Sequence, residues 1–163
     1  YTIFLKNIFD NYYIDFINGK YVSIRMFDNY VTMLLNDRTE CCSMNGFCSC
    51  NFIIESDGSV FPCDFYMLDR YKLGNITINS FEELKNNVNA IKFVEESKHT
   101  DNKCKECKWF KICKGGCRRL REPLIDGKPS LNKYCESYYS FFEYSYERLQ
   151  IMARLTLYNK NQK

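Results

Sequence analysis

The chain has 163 residues, the size of one ordinary domain or of one small domain with a piece of another. Apolar residues make up 45% of it and charged residues 26%, as in soluble globular proteins. No apolar run approaches the roughly 18 residues of a membrane-spanning helix, which excludes a membrane protein of that kind. The formal net charge of +3 is too small to indicate a nucleic-acid partner by itself.

The first third of the chain predicts a helix, a strand and a second helix. In residues 1–18, apolar side chains recur every fourth residue, and Gly19 suits the position after a helix C-terminus. Tyr21–Phe27 alternates apolar and polar residues, which is typical of a short strand. Asp28 is then expected to cap the next helix. This order predicts the end of a β/α unit whose earlier members are missing, and a free-standing α+β cap is the alternative.

An Asp-Gly pair at residues 57–58 predicts a tight β-hairpin with a type I′ turn. Its arms would be Asn51–Ser56 and Ser59–Phe61. The hairpin would present Cys63 and Asp64 at its far end, so that a thiol and a carboxylate lie near one centre.

The remaining segments predict short helices, turns and one long helix. Ser80 and Glu83 form a capping box that opens the first of two short helices. Residues 73–76 and 123–131 are rich in turn-forming residues. Residues 136–158 carry aromatic and aliphatic side chains near helical spacing, which we interpret as core packing.

Ten cysteines indicate the chemistry of the chain. Residues 104–117 contain C-x2-C-x5-C-x3-C, and a regular helix cannot direct four sulfurs at this spacing towards one centre. We therefore expect a loop folded around zinc or an iron–sulfur cluster, since both are bound by close cysteine pairs. A secreted disulfide scaffold is the alternative. The C-x2-C spacing, the absence of a signal peptide and a start at Tyr1 favour metal in a C-terminal portion of a longer cytoplasmic protein.

The spacing further predicts two centres, because in two-cluster ferredoxins the fourth cysteine of a similar run ligates the other cluster. One centre would take Cys104, Cys107, Cys113 and Cys135. The other would take Cys117, Cys63 and two of Cys41, Cys42, Cys48 and Cys50.

Eight basic residues surround the central cysteines and would offset the negative charge of such clusters. They are Lys103, Lys105, Lys108, Lys111, Lys114, Arg118, Arg119 and Arg121. Two 4Fe–4S clusters with their thiolates would change the net charge from +3 to about −1, so no nucleic-acid partner is expected.

Taken together, these cysteines resemble a known family. The pattern resembles the SPASM domain in three features. They are the spacings of x9 and x4 between Cys48, Gly58 and Cys63, the central C-x2-C-x5-C-x3-C, and a lone Cys135. That domain is the C-terminal extension of radical SAM enzymes that modify peptides and proteins. The segments E-S-D-G-S-V-F-P-C-D-F-Y, L-G-N-I and I-R-M-F-D-N-Y are similar to the anaerobic sulfatase-maturating enzymes.

The resemblance implies an α+β fold and a domain division. The fold would be a small, Cys-rich, loop-dominated domain with a short β-hairpin and flanking helices, preceded by the last β/α elements of a partial radical SAM barrel. Residues 1–36 would be the end of the barrel, and residues 37–140 the SPASM domain with two auxiliary 4Fe–4S sites. Residues 141–163 would be a C-terminal helix and tail.

The resemblance also implies ligands for each cluster. The first auxiliary cluster would be held by Cys42, Cys48, Cys63 and Cys117. The second would be held by Cys104, Cys107, Cys113 and Cys135. Cys41 and Cys50 are then spare.

Asp64 matches the general base of this family. There a deoxyadenosyl radical removes a Cβ hydrogen from a sulfatase Cys or Ser, the base takes the thiol or hydroxyl proton, and an auxiliary cluster accepts the electron to give formylglycine. The implied partners are a sulfatase polypeptide and an electron acceptor such as ferredoxin or flavodoxin. A carboxylate that only binds loop amides is the alternative for Asp64.

The chain contains no C-x3-C-x2-C motif. SAM and a third 4Fe–4S cluster are therefore expected only in the missing N-terminal barrel, and the chain alone is expected to be inactive. Two other functions stay open: the SPASM domain of another radical SAM peptide-modifying enzyme, and a zinc-stabilised binding module without a redox role. The sequence does not distinguish a Cys-type from a Ser-type sulfatase substrate.

Overall fold

The computed structural model describes residues 1–36 and 39–160, which form an α+β structure of helices and two small antiparallel sheets. The helices are Thr2–Ile17 (α1), Arg25–Asn36 (α2), Phe81–Lys85 (α3), Val88–Ser97 (α4), Asn102–Lys105 (α5), Phe110–Cys113 (α6) and Cys135–Lys160 (α7). The strands are Ile53–Ile54 (β1), Ser59–Phe61 (β2), Gly74–Asn75 (β3), Leu124–Ile125 (β4) and Lys128–Pro129 (β5). Short 3₁₀ turns at Cys42–Met44, Asp64–Tyr66, Asp69–Tyr71 and Arg118–Arg121 link them. The predicted fold class, α+β, is thus confirmed.

The main core lies where α1 and α2 pack against α7. Phe141 of α7 is fully buried, and its ring centroid lies 5.5 Å from that of Phe9 and 5.6 Å from that of Phe27. Asp10 of α1 accepts hydrogen bonds from Arg148 (2.7 Å) and from the Tyr144 hydroxyl, which joins the same helices at the surface. The long helix therefore anchors the N-terminal helices beside the cysteine-rich region.

Replacing Phe141 by Ala is expected to lower the free energy of unfolding by about 3–5 kcal/mol, because it leaves a cavity among aromatic rings. Leu157→Ala on the same helix is the control, since Leu157 is 52% exposed and should change stability by less than about 0.5 kcal/mol. Urea denaturation followed by circular dichroism measures both values. Equal losses for the two variants would contradict this assignment of the core.

The first predicted helix is confirmed, and the strand predicted after it is wrong. α1 ends at Ile17, and Gly19 follows with a φ of 71°, the left-handed conformation expected of a glycine after a helix. Tyr21–Phe27 does not form a strand, because α2 begins within it at Arg25. A strand needs a neighbouring strand to satisfy its amide groups, and none of the described strands pairs with this segment. The amide groups of residues 27 and 28 instead donate to the carbonyl of Ile24.

The predicted role of Asp28 as a helix cap is also wrong. Asp28 lies inside the first turn of α2, three residues after the helix begins. Its carboxylate accepts hydrogen bonds from the hydroxyls of Tyr12 (2.6 Å) and Ser23 (2.5 Å). Asp28 therefore ties α2 to α1 and to the preceding loop.

The central hairpin is present, but its turn differs from the predicted type. β1 and β2 pair with Ile53 opposite Phe61, and β3 adds a third strand where residues 73–76 were predicted to be only a turn. Gly58 has a φ of 82°, whereas Asp57 is not among the described residues with positive φ. A type I′ turn requires positive φ at both positions, so the turn is of another type.

A genuine type I′ geometry occurs instead between β4 and β5, in the segment 123–131 that was predicted to be turns alone. Asp126 and Gly127 have φ values of 50° and 73°, and they connect two paired strands of two residues each. This second hairpin precedes the loop that leads to Cys135.

The predicted helix starts in the C-terminal half agree with the structure. Ser80 and Glu83 form the complete capping box at the start of α3. Helix α7 begins at Cys135 and continues across residue 140 without a break, so the division at residue 140 stays a prediction. The division between residues 36 and 37, and the tail 161–163, involve residues outside the described ones. None of the helices in residues 1–36 and 39–160 combines the length and apolar character needed to cross a membrane.

Candidate metal centres

The hairpin places Cys63 and Asp64 side by side. The amide of Asn51 donates to the carbonyl of Pro62 (2.8 Å), which extends the β1–β2 pairing up to the cysteine. Cys63 is extended, and a 3₁₀ turn begins at the next residue. The thiol of Cys63 donates to Oδ1 of Asp64 at 3.1 Å, and the Asp64 side chain is exposed. A rigid strand end thus holds a thiol and a solvent-accessible carboxylate together.

Four of the predicted ligands line one cavity of about 530 Å³. They are Cys104, Cys107, Cys113 and Cys135. Cys104 lies on α5 and Cys107 just after it, whereas Cys113 ends α6 and Cys135 begins α7. Four separate positions of the backbone therefore contribute to one cavity. Trp109, Tyr139 and Phe142 form an aromatic wall of the same cavity. These are the four residues predicted for the second centre, and their role as ligands stays a prediction.

A left-handed turn separates Cys113 from Cys117. Lys114, Gly115 and Gly116 have φ values of 51°, 80° and 75°. A Cβ at Gly116 would lie 2.6 Å from Nδ2 of Asn132, a side chain that donates to the carbonyl of Gly115 at 3.0 Å. The chain therefore reverses direction between two cysteines that are close in sequence, and a side chain at Gly116 would obstruct the turn.

Cys117 lines a smaller cavity of about 280 Å³ together with Cys41 and Cys113, and its link to the other predicted quartet is electrostatic. Burial raises the pKa of the Cys117 thiol, and the charge of Cys42 raises it further. Burial likewise raises the pKa of Cys48 and of Cys63, in the latter case to about 12, and Cys117 contributes to both shifts. Cys117 is thus the electrostatic neighbour shared by Cys42, Cys48 and Cys63.

The same electrostatic pattern links the members of the second quartet. Burial raises the pKa of the Cys113 thiol to about 11, with further increases from Cys104, Cys135 and Cys107. Metal binding requires thiolates, so each site must release its protons when it is loaded.

Cys41 and Cys50 have other surroundings. The Cys50 thiol donates weakly to the carbonyl of Ala90 at 3.8 Å and packs against the small apolar cluster around β2. The Cys41 sulfur lies 3.0 Å from the hydroxyl of Ser43 and packs against the main core. Both thiols are partly buried, and burial together with the charge of Cys48 raises the pKa of Cys50.

The donor sets fit a cluster of several atoms better than one ion. A zinc site needs four ligands converging on one point, with sulfurs about 2.3 Å from the metal. Within residues 1–36 and 39–160, no three His, Cys, Asp or Glu side chains are arranged to hold a metal ion. The second quartet lines a cavity of about 530 Å³. An iron–sulfur cluster, which binds its four thiolates at several iron atoms, suits a cavity of this kind.

Two of the eight basic residues near the cysteines are buried, which sequence reasoning did not predict. Arg118 is 1% exposed, pairs with Glu96 at 2.9 Å and stacks on the ring of Phe93 at 4.9 Å. Arg121 is 4% exposed. Sequence reasoning also missed Ser97, whose hydroxyl accepts the amide hydrogen of Cys48 at 2.8 Å. Their positions follow from contacts between distant segments, which no local motif indicates.

Comparison with known proteins adds a family and several relatives. The model of the SPASM family, an iron–sulfur cluster-binding domain, matches residues 41–108. The cysteine-type anaerobic sulfatase-maturating enzyme of Clostridium perfringens (strain 13 / Type A) is 51% identical over 149 residues, which are 91% of this chain and 40% of that protein. Its Clostridium novyi (strain NT) counterpart is 45% identical over 161 residues, 99% of this chain and 43% of that protein.

A serine-type enzyme of Bacteroides thetaiotaomicron is 29% identical over 93% of this chain and 36% of that protein. Among solved structures, native anSMEcpe with bound AdoMet and Kp18Cys peptide matches with a TM-score of 0.92 and 49% identity. That match covers 94% of this chain and 42% of the other. The chain therefore spans about two fifths of the length of these relatives.

Proposed function

Because this chain contains the SPASM domain of an anaerobic sulfatase-maturating enzyme, we propose that it is the auxiliary-cluster part of a radical SAM oxidoreductase that produces formylglycine on a sulfatase. The observation that carries the proposal is that Cys104, Cys107, Cys113 and Cys135 line a single cavity. A second site is supported by the charges of the other thiols, because Cys42 raises the pKa of Cys117, and Cys117 raises the pKa of Cys48 and of Cys63. Two separate thiolate quartets are the arrangement that two 4Fe–4S clusters need.

Each quartet is proposed to hold one auxiliary cluster. The first cluster would be bound by Cys42, Cys48, Cys63 and Cys117. The second would be bound by Cys104, Cys107, Cys113 and Cys135. When bound, these clusters supply a place for the electron that leaves the substrate. The residues of the chain fix their positions, and α7 and the hairpin form the rigid part of that framework.

Asp64 is proposed to be the general base. Its carboxylate lies beside Cys63 and is open to solvent, so it is accessible to a polypeptide side chain. While Cys63 is a thiol, the Asp64 carboxylate accepts its hydrogen bond. When Cys63 binds a cluster it loses this hydrogen, and the carboxylate oxygen becomes available. It would then accept the proton of the substrate side chain, for which position matters before pKa.

The proposed substrate is a cysteine-type sulfatase polypeptide. The two clostridial relatives described as cysteine-type are 51% and 45% identical to this chain, whereas the serine-type Bacteroides enzyme is 29% identical. The solved neighbour contains a peptide named Kp18Cys, which also supports a cysteine-containing peptide substrate.

The remaining parts of the reaction are proposed to lie outside this chain. Residues 1–36 would contribute the last elements of the radical SAM barrel, and the rest of the barrel would bind SAM and a third 4Fe–4S cluster. The chain by itself is then expected to show no maturase activity. A ferredoxin or flavodoxin is the proposed electron acceptor, and the C-x2-C spacing of the cysteines favours metal in a reducing cytoplasm.

The test is metal analysis after anaerobic purification. The protein is expected to be brown, with broad visible absorption and about eight iron atoms per chain, four for each cluster. Colourless protein that contains zinc alone would contradict the proposal and support a zinc-stabilised module. Anaerobic handling is part of the design, because air removes iron from clusters and allows zinc to enter.

A further inference from the structure

Arg121 is a buried cation that has no carboxylate partner within the described part of the chain. The other two arginines of the Arg118–Arg121 turn each pair with a glutamate, Arg118 with Glu96 and Arg119 with Glu122. The Arg121 side chain, which is 4% exposed, forms no such ion pair with a described residue. A buried charge is costly unless an opposite charge or a full set of hydrogen bonds compensates it.

The guanidinium donates instead to three backbone carbonyls. The acceptors are Ser97 at 2.9 Å, His99 at 3.0 Å and Gly46 at 3.1 Å. Nε of Arg121 is buried and has no hydrogen-bond partner. Carbonyl dipoles solvate the cation, but they leave its net charge in place.

Thiols of both predicted quartets act electrostatically on the Arg121 guanidinium. Burial lowers the pKa of Arg121, and the thiols of Cys48, Cys117 and Cys104 act in the opposite direction. Cys48 and Cys117 belong to the first quartet and Cys104 to the second. The charges of both groups of thiols therefore act on one buried cation.

The three acceptor carbonyls belong to segments that carry cluster ligands. Gly46 comes two residues before Cys48, and the hydroxyl of Ser97 holds the amide of Cys48. His99 comes five residues before Cys104, beyond the end of α4. Arg121 thus joins the loop of the first quartet to the start of the second.

The backbone of the same turn reaches a third segment. The carbonyl of Arg121 accepts hydrogen bonds from the amide and the hydroxyl of Ser130, both at 2.8 Å. The carbonyl of Leu120 accepts the amide hydrogen of Lys133 at 2.9 Å. These contacts fix the loop that leads to Cys135.

We propose that Arg121 is a positioning residue shared by the two clusters: it holds the ligand loops in place through its three carbonyl contacts, and its charge offsets that of the thiolate-bound clusters at both sites. This inference rests on the proposed function, because it requires both clusters to be present. On this proposal, the side chain of Arg121 links the positions and the charges of the two cluster sites.

The experiment compares Arg121→Gln with Arg119→Gln in the anaerobically reconstituted protein, by redox titration followed by electron paramagnetic resonance. Loss of the buried cation should disfavour reduction of each cluster about tenfold, a shift of about 59 mV to more negative potential for a one-electron couple. Arg119 is exposed and pairs with Glu122, so Arg119→Gln should leave both potentials unchanged. Unchanged potentials in a folded Arg121→Gln protein, or equal shifts in the two variants, would overturn the proposal.

Arg121→Lys tests the positioning role and decides the question if the glutamine variant does not fold. Lysine keeps the charge but lacks the planar fork that reaches three carbonyls. The potentials should then stay close to those of the unmodified protein, while iron release to a chelator becomes about tenfold faster. Iron release at the unmodified rate would reject the role of Arg121. Unmodified protein that binds no iron would reject the proposed function itself, so the two failures are distinguishable.

Discussion

Asp64→Asn is expected to lower the rate of formylglycine formation by about 10²–10⁴-fold in the complete enzyme, with both auxiliary clusters retained. Asparagine has nearly the shape of aspartate, but its amide does not accept a proton at neutral pH. The Asp64 side chain is exposed and bonds to a cysteine thiol, so the substitution removes no buried contact. The measurement is mass-spectrometric detection of formylglycine in a cysteine-containing peptide, with iron content determined on the same sample.

Asp69→Asn is the matched control. Asp69 is also exposed and also opens a 3₁₀ turn, five residues further along the chain. This variant should form formylglycine at the unmodified rate. An Asp64→Asn enzyme that is fully active would assign the base to another residue, and one that has lost iron would indicate a structural role at Cys63.

The two Asp-Gly pairs illustrate what sequence reasoning can and cannot predict about turns. The same dipeptide forms a type I′ turn at residues 126–127 and a different turn at residues 57–58. At the first hairpin, the carboxylate of Asp57 accepts hydrogen bonds from the amide (2.8 Å) and hydroxyl (2.7 Å) of Ser59. Such a bond to the residue two positions on is an Asx-type turn, which competes with the type I′ conformation. The dipeptide indicates a turn, and its neighbours decide the type.

Strand prediction failed where the pairing partner was not local. Tyr21–Phe27 has the alternation of a strand, but strand formation depends on a neighbouring strand more than on the segment itself. Gly74 and Asn75, by contrast, have poor strand propensity and still pair with β2, because the 3₁₀ turn at Asp69–Tyr71 returns the chain to that edge. The start of α3 was predicted correctly, since the capping box of Ser80 and Glu83 acts within one turn, whereas the predicted cap at Asp28 was wrong.

Cysteine spacing limits which sulfurs can meet, and the four thiols that line one cavity, Cys104, Cys107, Cys113 and Cys135, are a set that the spacing predicts. The environment of those thiols could not be predicted in this way. Arg121 contacts Gly46 and Ser97, which lie 75 and 24 positions before it in the sequence. The run R-R-L-R at residues 118–121 gives no indication that its first and last arginines are buried while Arg119 is exposed. Contacts of this kind depend on the assembled fold rather than on any local pattern.

Cys113→Ala and Cys117→Ala are expected to remove different clusters, although only three residues separate the two positions. Cys113 lines the cavity of the second quartet, and a left-handed turn at residues 114–116 separates it from Cys117, whose charge raises the pKa of Cys48 and Cys63. Each variant should retain about four iron atoms of about eight, since a 4Fe–4S cluster uses four cysteines. Iron analysis with electron paramagnetic resonance identifies which of the two cluster signals is lost.

Cys50→Ala is the control for these variants, because the Cys50 thiol donates weakly to the carbonyl of Ala90 and is assigned to neither proposed quartet. It should retain both signals and all of the iron. Loss of the same signal from the Cys113 and Cys117 variants would mean that one centre uses both thiols, which the reversal of the chain between them opposes. If each variant lost a different signal, the central loop would be shown to serve both clusters. That result would also explain why two consecutive glycines, Gly115 and Gly116, lie between the two ligands.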